Sequence, residues 1–134
     1  MEINKETFKI LILDDNEIDL DLLEDILMRL GFENIIKSKS GLEAIRLTEA
    51  HSPDLFFIDI MMPEMSGDEF RGLLKERPAT RNTPVIYISG IISKQEEKAI
   101  SGRFPSGDLI VAKPFTKSKI ARAILESLGM APES

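Results

Sequence analysis

Five polar side chains stand where apolar runs of this sequence end. They are Asp14, Asp15, Asp59, Ser89 and Lys113. Asp59 is the only charged residue in its run, residues 55–60, and burying a charge inside a strand is costly unless that charge is compensated. If the runs are parallel strands of one sheet, three carboxylates, a hydroxyl and an ammonium group share one crevice.

Such a crevice predicts a particular chemistry. Three neighbouring carboxylates repel one another, so the pKa of at least one should rise. A fold tolerates this repulsion when a cation lies among the carboxylates, and ligands that offer only oxygen predict Mg²⁺, with Mn²⁺ as a substitute. A carboxylate can also attack a phosphoryl group and form an aspartyl phosphate. The metal, Lys113 and Ser89 would then spread the charge of the phosphoryl oxygens.

The elements that must position these side chains can be predicted from hydrophobic periodicity. The predicted strands cover residues 8–13, 34–38, 55–60, 85–89 and 109–112. The predicted helices cover residues 17–30, 41–50, 67–76, 93–101 and 116–128. Strict alternation of strands and helices indicates an α/β fold, a doubly wound five-stranded parallel sheet with helices on both faces. In such sheets the functional crevice lies beyond the carboxyl ends of the strands.

Local signals at helix ends support this register. Three predicted helices begin with a capping box, in which a serine and a glutamate satisfy the first free N–H groups. The pairs are Ser40 with Glu43, Ser66 with Glu69, and Ser93 with Glu96. Gly31 stands where a helix C-terminal glycine is expected.

Composition excludes several classes of protein. The chain has 134 residues, of which 43% are apolar and 30% charged, which is typical of one globular domain. No cysteine is present and His51 is the single histidine, which excludes disulfides, thiolate sites and zinc sites with two imidazoles. A net charge of −6 argues against nucleic acid and anionic membranes as partners. Without an apolar run of spanning length or a signal-peptide core, we expect a cytoplasmic protein.

Four motifs resemble those of response-regulator receiver domains, the chemotaxis-regulator type of fold. They are LDDN at residues 13–16, FIDIMMPEMSG at 57–67, ISG at 88–90 and AKPF at 112–115. The second motif is highly specific, and all four occur in the expected order. The resemblance covers residues 8–128, with residues 1–7 and 129–134 as short terminal extensions. It implies a flavodoxin-like three-layer sandwich with strand order 2-1-3-4-5.

The resemblance also implies roles for the site residues. Asp59 would be the phosphoacceptor, and the donor would be a phosphohistidine on a sensor histidine kinase or histidine phosphotransfer protein. Ser89 would be the switch hydroxyl that closes on the phosphoryl group, and Lys113 would pair with that group. The chain would then be a single-domain response regulator that changes its affinity for a protein partner. It would take part in its own phosphorylation and dephosphorylation without being an enzyme in the ordinary sense.

The metal site follows from the same resemblance. Asp15 would bind Mg²⁺ directly and Asp14 largely through water, while Asp59 and the backbone carbonyl of Met61 would complete the protein ligands. The family pattern further implies a cis peptide bond between Lys113 and Pro114, since cis bonds occur mainly before proline.

Two departures from the family pattern keep an alternative open. Ile110 occupies a strand position that usually holds an aromatic residue, and the stretch between Ser89 and Lys113 is longer than usual, with the excess expected in residues 102–107. The alternative is a receiver-like protein-interaction module that acts without phosphorylation. A nucleotide-dependent enzyme is disfavoured because the sequence has no glycine-rich phosphate loop. An aspartate-nucleophile phosphatase would usually carry an acid at Met61, and a flavin phosphate would be repelled by the aspartates after the first strand.

Overall fold

Five parallel strands form one sheet in the computed structural model, which describes residues 3–90 and 108–130. The strands are β1 (Lys9–Leu13), β2 (Asn34–Ser38), β3 (Leu55–Asp59), β4 (Val85–Ser89) and β5 (Leu109–Ala112). Their order across the sheet is β2-β1-β3-β4-β5, and every neighbouring pair is parallel. The predicted topology is therefore confirmed.

The helices of the described residues follow the strands as the periodicity predicts. They are α1 (Glu17–Arg29), α2 (Gly41–His51), α3 (Gly67–Glu76) and α4 (Lys117–Ser127). The helix predicted at residues 93–101 and its capping box lie outside the described residues. Within residues 3–90 and 108–130, no helix has the length and apolar character needed to cross a bilayer.

The helix starts that face the carboxyl edge of the sheet are fixed by local caps. Ser40 Oγ accepts a hydrogen bond from the N–H of Glu43, and Ser66 Oγ accepts one from the N–H of Glu69, each at 3.2 Å. These two serine caps confirm the predicted starts of α2 and α3. Gly31 has φ of 100°, the left-handed conformation that favours glycine directly after a helix.

The core is divided into two layers by the sheet. Alternate strand residues point to opposite faces, so Ile10 and Phe57 belong to one cluster, while Leu11 and Phe56 belong to the other. Helices α1 and α4 cover the first face, and α2 and α3 cover the second. Each fully buried Phe, Leu or Ile contributes roughly 1.5–3 kcal/mol. Burial on both faces therefore holds the strand ends in a fixed relation.

The described part of the N-terminal extension is packed against the loop between α1 and β2. Lys5 Nζ donates to the carbonyl of Leu30 at 2.6 Å and lies 5.4 Å from the centre of the Phe32 ring. Phe8 contacts the same ring with a centroid distance of 5.8 Å. These contacts lie at the edge of the sheet opposite to the five polar side chains.

Candidate functional site

The strand register brings the predicted site residues to one edge of the sheet. Leu13 pairs with Ile58, Asp59 pairs with Ile88, and the last residue of β4 pairs with the last residue of β5. The carboxyl ends of β1, β3, β4 and β5 are therefore in step. The side chains that follow or end these strands meet at that edge, as the sequence predicts.

Three carboxylates form an acidic cluster there, which comprises Asp14, Asp15 and Asp59. One oxygen of each lies within 4.8 Å of the others. Asp14 and Asp59 are 1% and 5% exposed, whereas Asp15 is exposed to solvent. The cluster therefore has a dry inner side and an open outer side.

The two buried carboxylates are held by backbone and side-chain donors. The N–H of Asn16 donates to Asp14 Oδ1 at 3.0 Å, and the N–H of Met61 donates to Asp59 Oδ1 at 3.2 Å. Lys113 Nζ lies 2.9 Å from Asp14 Oδ2 and 3.5 Å from Asp59 Oδ2. Each carboxylate thus keeps one oxygen on the backbone side and one on the ammonium side.

The start of α3 approaches the end of β3 very closely. The N–H of Gly67 donates to the carbonyl of Ile60 at 2.9 Å, and a Cβ added at Gly67 would lie 2.8 Å from the carbonyl oxygen of Asp59. Real Cβ atoms essentially never show such a contact with backbone. Glycine is therefore required at position 67 to seat α3 beside the acidic cluster.

One carboxylate of the acidic cluster has a raised pKa, as the sequence predicts. Burial, followed by the hydrogen bond and charge of Asp14, raises the pKa of Asp59 from 3.8 to about 7, against the opposing effects of Lys113 and the Met61 N–H. The cluster thus holds more negative charge than its protein partners neutralise. An all-oxygen set with excess negative charge fits a hard divalent cation such as Mg²⁺.

Lys113 supplies the positive charge of the site. Its side chain is 17% exposed and its ammonium donates to Asp14 at 2.9 Å and to Asp19 at 2.7 Å. Burial alone would lower the pKa of Lys113, but the hydrogen bonds to these two carboxylates outweigh burial and raise it above its usual value. Lys113 is therefore charged throughout the neutral pH range.

Sequence reasoning missed Asp19. It lies in the first turn of α1, three residues after the capping residue Asn16, and its side chain is 24% exposed. The available signal was its place in the helix that begins directly after Asp14 and Asp15, because that helix start stays close to the carboxyl end of β1. Acidic residues are common in first helical turns, which is why the position alone carried no prediction.

The remaining predicted site residues lie at the same edge. Ser89 is buried at the end of β4, and its carbonyl accepts a hydrogen bond from the N–H of Lys113 at 2.8 Å. The Met61 side chain points into solvent, while its backbone lies beside Asp59. The peptide bond between Lys113 and Pro114 is cis, so that expectation is confirmed.

Ile110, the departure from the family pattern, is a buried residue of the sheet. It is 3% exposed and pairs with Tyr87 on β4, whose side chain lies on the same face. Burial and the charge of Asp108 raise the pKa of Tyr87, which stays neutral. Residues 102–107, where the sequence indicates an insertion, lie outside the described residues.

Comparisons with known proteins agree with this geometry. The family model for the response regulator receiver domain matches residues 10–125. The chain is 34% identical over 123 residues to the polar-differentiation response regulator DivK of Brucella ovis, covering 92% of this chain and 98% of that protein. The Brucella anthropi protein of the same name is 34% identical over 120 residues, covering 90% of this chain and 95% of that protein.

Solved structures show the same fold. A response regulator from Desulfuromonas acetoxidans has a TM-score of 0.74 and 27% identity, covering 91% of this chain and 97% of that one. The receiver domain of a sensor histidine kinase from Pseudomonas aeruginosa has a TM-score of 0.74 at 21% identity, covering 91% of this chain and 98% of that one. In that second protein a magnesium ion is coordinated in the active-site cleft.

Proposed function

The chain belongs to the response regulator receiver domain family, and on that premise we propose that Asp59 accepts a phosphoryl group in a two-component phosphorelay. One observation carries this proposal. The buried Asp59 carboxylate, at the end of a central strand, belongs to the acidic cluster and also lies 3.5 Å from the ammonium of Lys113. A carboxylate in this setting has a metal-binding side and a cation that can pair with an added anion.

The proposed step is a transfer between two nucleophiles. A carboxylate oxygen of Asp59 attacks the phosphorus of a phosphohistidine on a histidine kinase or phosphotransfer protein. The oxygen–phosphorus bond forms as the phosphorus–nitrogen bond breaks, and the released electron pair returns to the imidazole, which takes up a proton from solvent. The product is an aspartyl phosphate on this chain. We place the exchange in the cytoplasm.

The acidic cluster and the Met61 carbonyl are the proposed ligands of Mg²⁺, for which Mn²⁺ can substitute. The donor chemistry fits, since all ligands are oxygens and the pKa of Asp59 is raised by burial and then by the hydrogen bond and charge of Asp14. Bound Mg²⁺ would supply positive charge that favours ionised Asp59 and offsets the charge of the phosphoryl oxygens. One oxygen of Asp14 and one of Asp15 lie within 4.8 Å of an Asp59 oxygen, and Asp14 is buried while Asp15 is open to solvent.

Lys113 and Ser89 are the proposed responders to phosphorylation. The Lys113 ammonium, 3.5 Å from Asp59 Oδ2, is within reach of an added phosphoryl oxygen. Ser89 ends the neighbouring strand and is proposed to donate its hydroxyl hydrogen to the same group. Bonds made only in the phosphorylated protein shift its conformational populations, and thereby its affinity for a protein partner.

The test is intact-mass spectrometry after incubation with a small-molecule phosphodonor and Mg²⁺, and separately with a phosphorylated histidine kinase domain. We expect one added phosphoryl group on the wild type and none on Asp59→Asn or in EDTA. Asp25→Asn, which removes an exposed carboxylate of α1 paired with Arg29, should be modified like the wild type. Equal modification of Asp59→Asn would place the phosphoryl group elsewhere and contradict the proposal.

The alternative, an interaction module that acts without phosphorylation, is favoured by one observation. Ile110 fills the strand position where the family usually has an aromatic residue, and it is buried there. This alternative requires partner binding that Asp59→Asn leaves unchanged. Absence of modification by either donor, together with absence of Mg²⁺ binding, would favour it over phosphorylation.

A further inference from the structure

The carboxylate of Asp19 contacts the Lys113 ammonium but does not belong to the acidic cluster. Its Oδ2 lies 2.7 Å from Lys113 Nζ, whereas Asp14 Oδ2 lies at 2.9 Å and Asp59 Oδ2 at 3.5 Å. Within the described residues, the carboxylates close enough together to hold one metal ion are those of Asp14, Asp15 and Asp59. The contact of Asp19 is therefore with the cation of the site and not with the proposed metal position.

The start of α1 fixes where this carboxylate stands. Asn16 caps the helix, and its Oδ1 accepts a hydrogen bond from the N–H of Asp19 at 3.1 Å. Aspartate has a short side chain, so a fixed backbone leaves its oxygens little freedom. The Lys113 ammonium is held on a long flexible stem, so the ammonium is the partner that can move.

The hydrogen bonds of Lys113 define a competition. An ammonium group has three N–H donors, and two of them are directed to Asp14 and Asp19. A phosphoryl group on Asp59 would bring further negative charge within reach of the same ammonium. Asp19 would then compete with the phosphoryl group for the N–H donors of Lys113. The negative charge of Asp19 would also repel the phosphoryl group.

We propose that Asp19 is a positioning residue that retains the Lys113 ammonium in the unphosphorylated protein and thereby weakens the hold of the site on a phosphoryl group. This inference rests on the proposed function of Asp59. Asp19 would affect the balance between the unphosphorylated and phosphorylated states. Its contact with Lys113 favours the state in which Lys113 does not bind a phosphoryl group.

Calorimetric titration of the full chain tests the inference with two probes. The first is Mg²⁺ alone, and the second is beryllofluoride, a non-covalent mimic of a phosphoryl group, at saturating Mg²⁺. Asp19→Asn should bind beryllofluoride roughly threefold to tenfold more tightly, the effect expected of a partly buried charge contact. The same variant should bind Mg²⁺ about twofold more weakly, because a nearby negative charge is lost. A merely structural defect would weaken both.

Glu17→Gln is the matched control. Glu17 lies in the same helical turn and carries the same charge, but it pairs with Lys39 at 3.2 Å and not with Lys113. Both affinities should stay within about twofold of the wild type. If Glu17→Gln tightens beryllofluoride as much as Asp19→Asn does, the effect is general charge repulsion and the inference is wrong.

The remaining outcomes separate this inference from the function on which it rests. If the wild type binds beryllofluoride and Asp19→Asn binds it no more tightly, the role of Asp19 is overturned but the proposed function is not. Wild type that binds no beryllofluoride with Mg²⁺ overturns the proposed function and this inference together. If Asp19→Asn fails to fold, Asp19→Ser removes the same charge with a residue suited to a helix start, and the same tightening is required of it.

Discussion

Two buried ionic clusters in this molecule differ in their balance of charge. At the carboxyl edge of the sheet, the Lys113 ammonium lies within 3.5 Å of three carboxylates, those of Asp14, Asp19 and Asp59. On the flank of the sheet, Arg71 of α3 pairs with Asp108 at 3.4 Å and donates to the carbonyl of Thr83 at 3.0 Å. In the part of the chain that the structure describes, the first cluster has an excess of negative charge, while the ion pair of the second joins one guanidinium to one carboxylate.

The difference separates a cluster whose charges are compensated within the fold from one whose excess negative charge suits a cation. The Arg71 and Asp108 side chains are only 11% and 13% exposed, and their opposite charges offset the cost of burial. The cluster around Lys113 lacks that compensation, and the pKa of Asp59, which burial and Asp14 raise to about 7, reflects this imbalance. Such uncompensated charge is retained where a cation or a reaction requires it.

Breaking the balanced cluster should have the largest effect on stability. Arg71→Met keeps much of the side-chain length but leaves Asp108 without this cation and the Thr83 carbonyl without this donor. We expect the free energy of unfolding to fall by about 2–4 kcal/mol, because the substitution removes both the cation of a largely buried ion pair and the donor to a backbone carbonyl. Urea denaturation at neutral pH measures the change.

The exposed ion pair of Arg77 provides the control for this prediction. Arg77 and Glu49 are 38% and 58% exposed, so Arg77→Met should change the free energy of unfolding by less than about 1 kcal/mol. Equal effects of the two substitutions would mean that the Arg71 pair is no more important than a surface pair. The distinction between the two buried clusters would then fail.

Removing a carboxylate from the cluster with excess negative charge should instead increase the free energy of unfolding. In metal-free buffer at about pH 8, Asp59→Asn should raise the free energy of unfolding by about 1–3 kcal/mol, because it removes a carboxylate that burial and Asp14 disfavour. Lys113 keeps its contacts with Asp14 and Asp19 in this variant. Urea denaturation in EDTA across the pH range measures the gain.

The pH dependence follows from the direction of the shift. The pKa of Asp59 is about 7 in the folded protein and ordinarily 3.8, so the folded state binds a proton more readily than the unfolded state. The stability that this carboxyl group contributes is complete below its ordinary pKa and is lost as the pH rises through about 7. The advantage of Asp59→Asn should therefore shrink toward acid pH. Asp25→Asn, at an exposed pair, should show no such trend, and a gain independent of pH would contradict the assignment.

The sequence predicts the acidic cluster well because the required information is local and topological. Apolar runs mark the strands, capping boxes mark the starts of α2 and α3, and the parallel topology collects the strand ends. Asp59 is identifiable because it interrupts an apolar strand. These features do not depend on how distant side chains are oriented.

The contacts that the sequence did not reveal are made by side chains on helices. Asp19 meets Lys113 across 94 positions of sequence, and Arg71 meets Asp108 across 37. Charged residues on helices are ordinarily solvated, so their type carries no sign of a distant partner. Only the packing of α1 and α3 on the sheet determines which of them face the interior.

Binding of Mg²⁺ should give the smallest effect on the free energy of unfolding, and that effect should depend on the acidic cluster. At roughly ten times its Kd, a ligand that binds only the folded state adds about 1.4 kcal/mol to the free energy of unfolding. We expect an increment of about this size for wild type at about pH 8 and a smaller one at about pH 5.5, where binding must displace the proton that Asp59 holds.

Arg71→Met should keep the full increment although it is less stable, and Asp59→Asn should lose most of it although it is more stable. Thermal unfolding with and without Mg²⁺ measures all of these increments. An increment that survives in Asp59→Asn, or that disappears in Arg71→Met, would show that the metal acts elsewhere than on the excess charge at the end of β3.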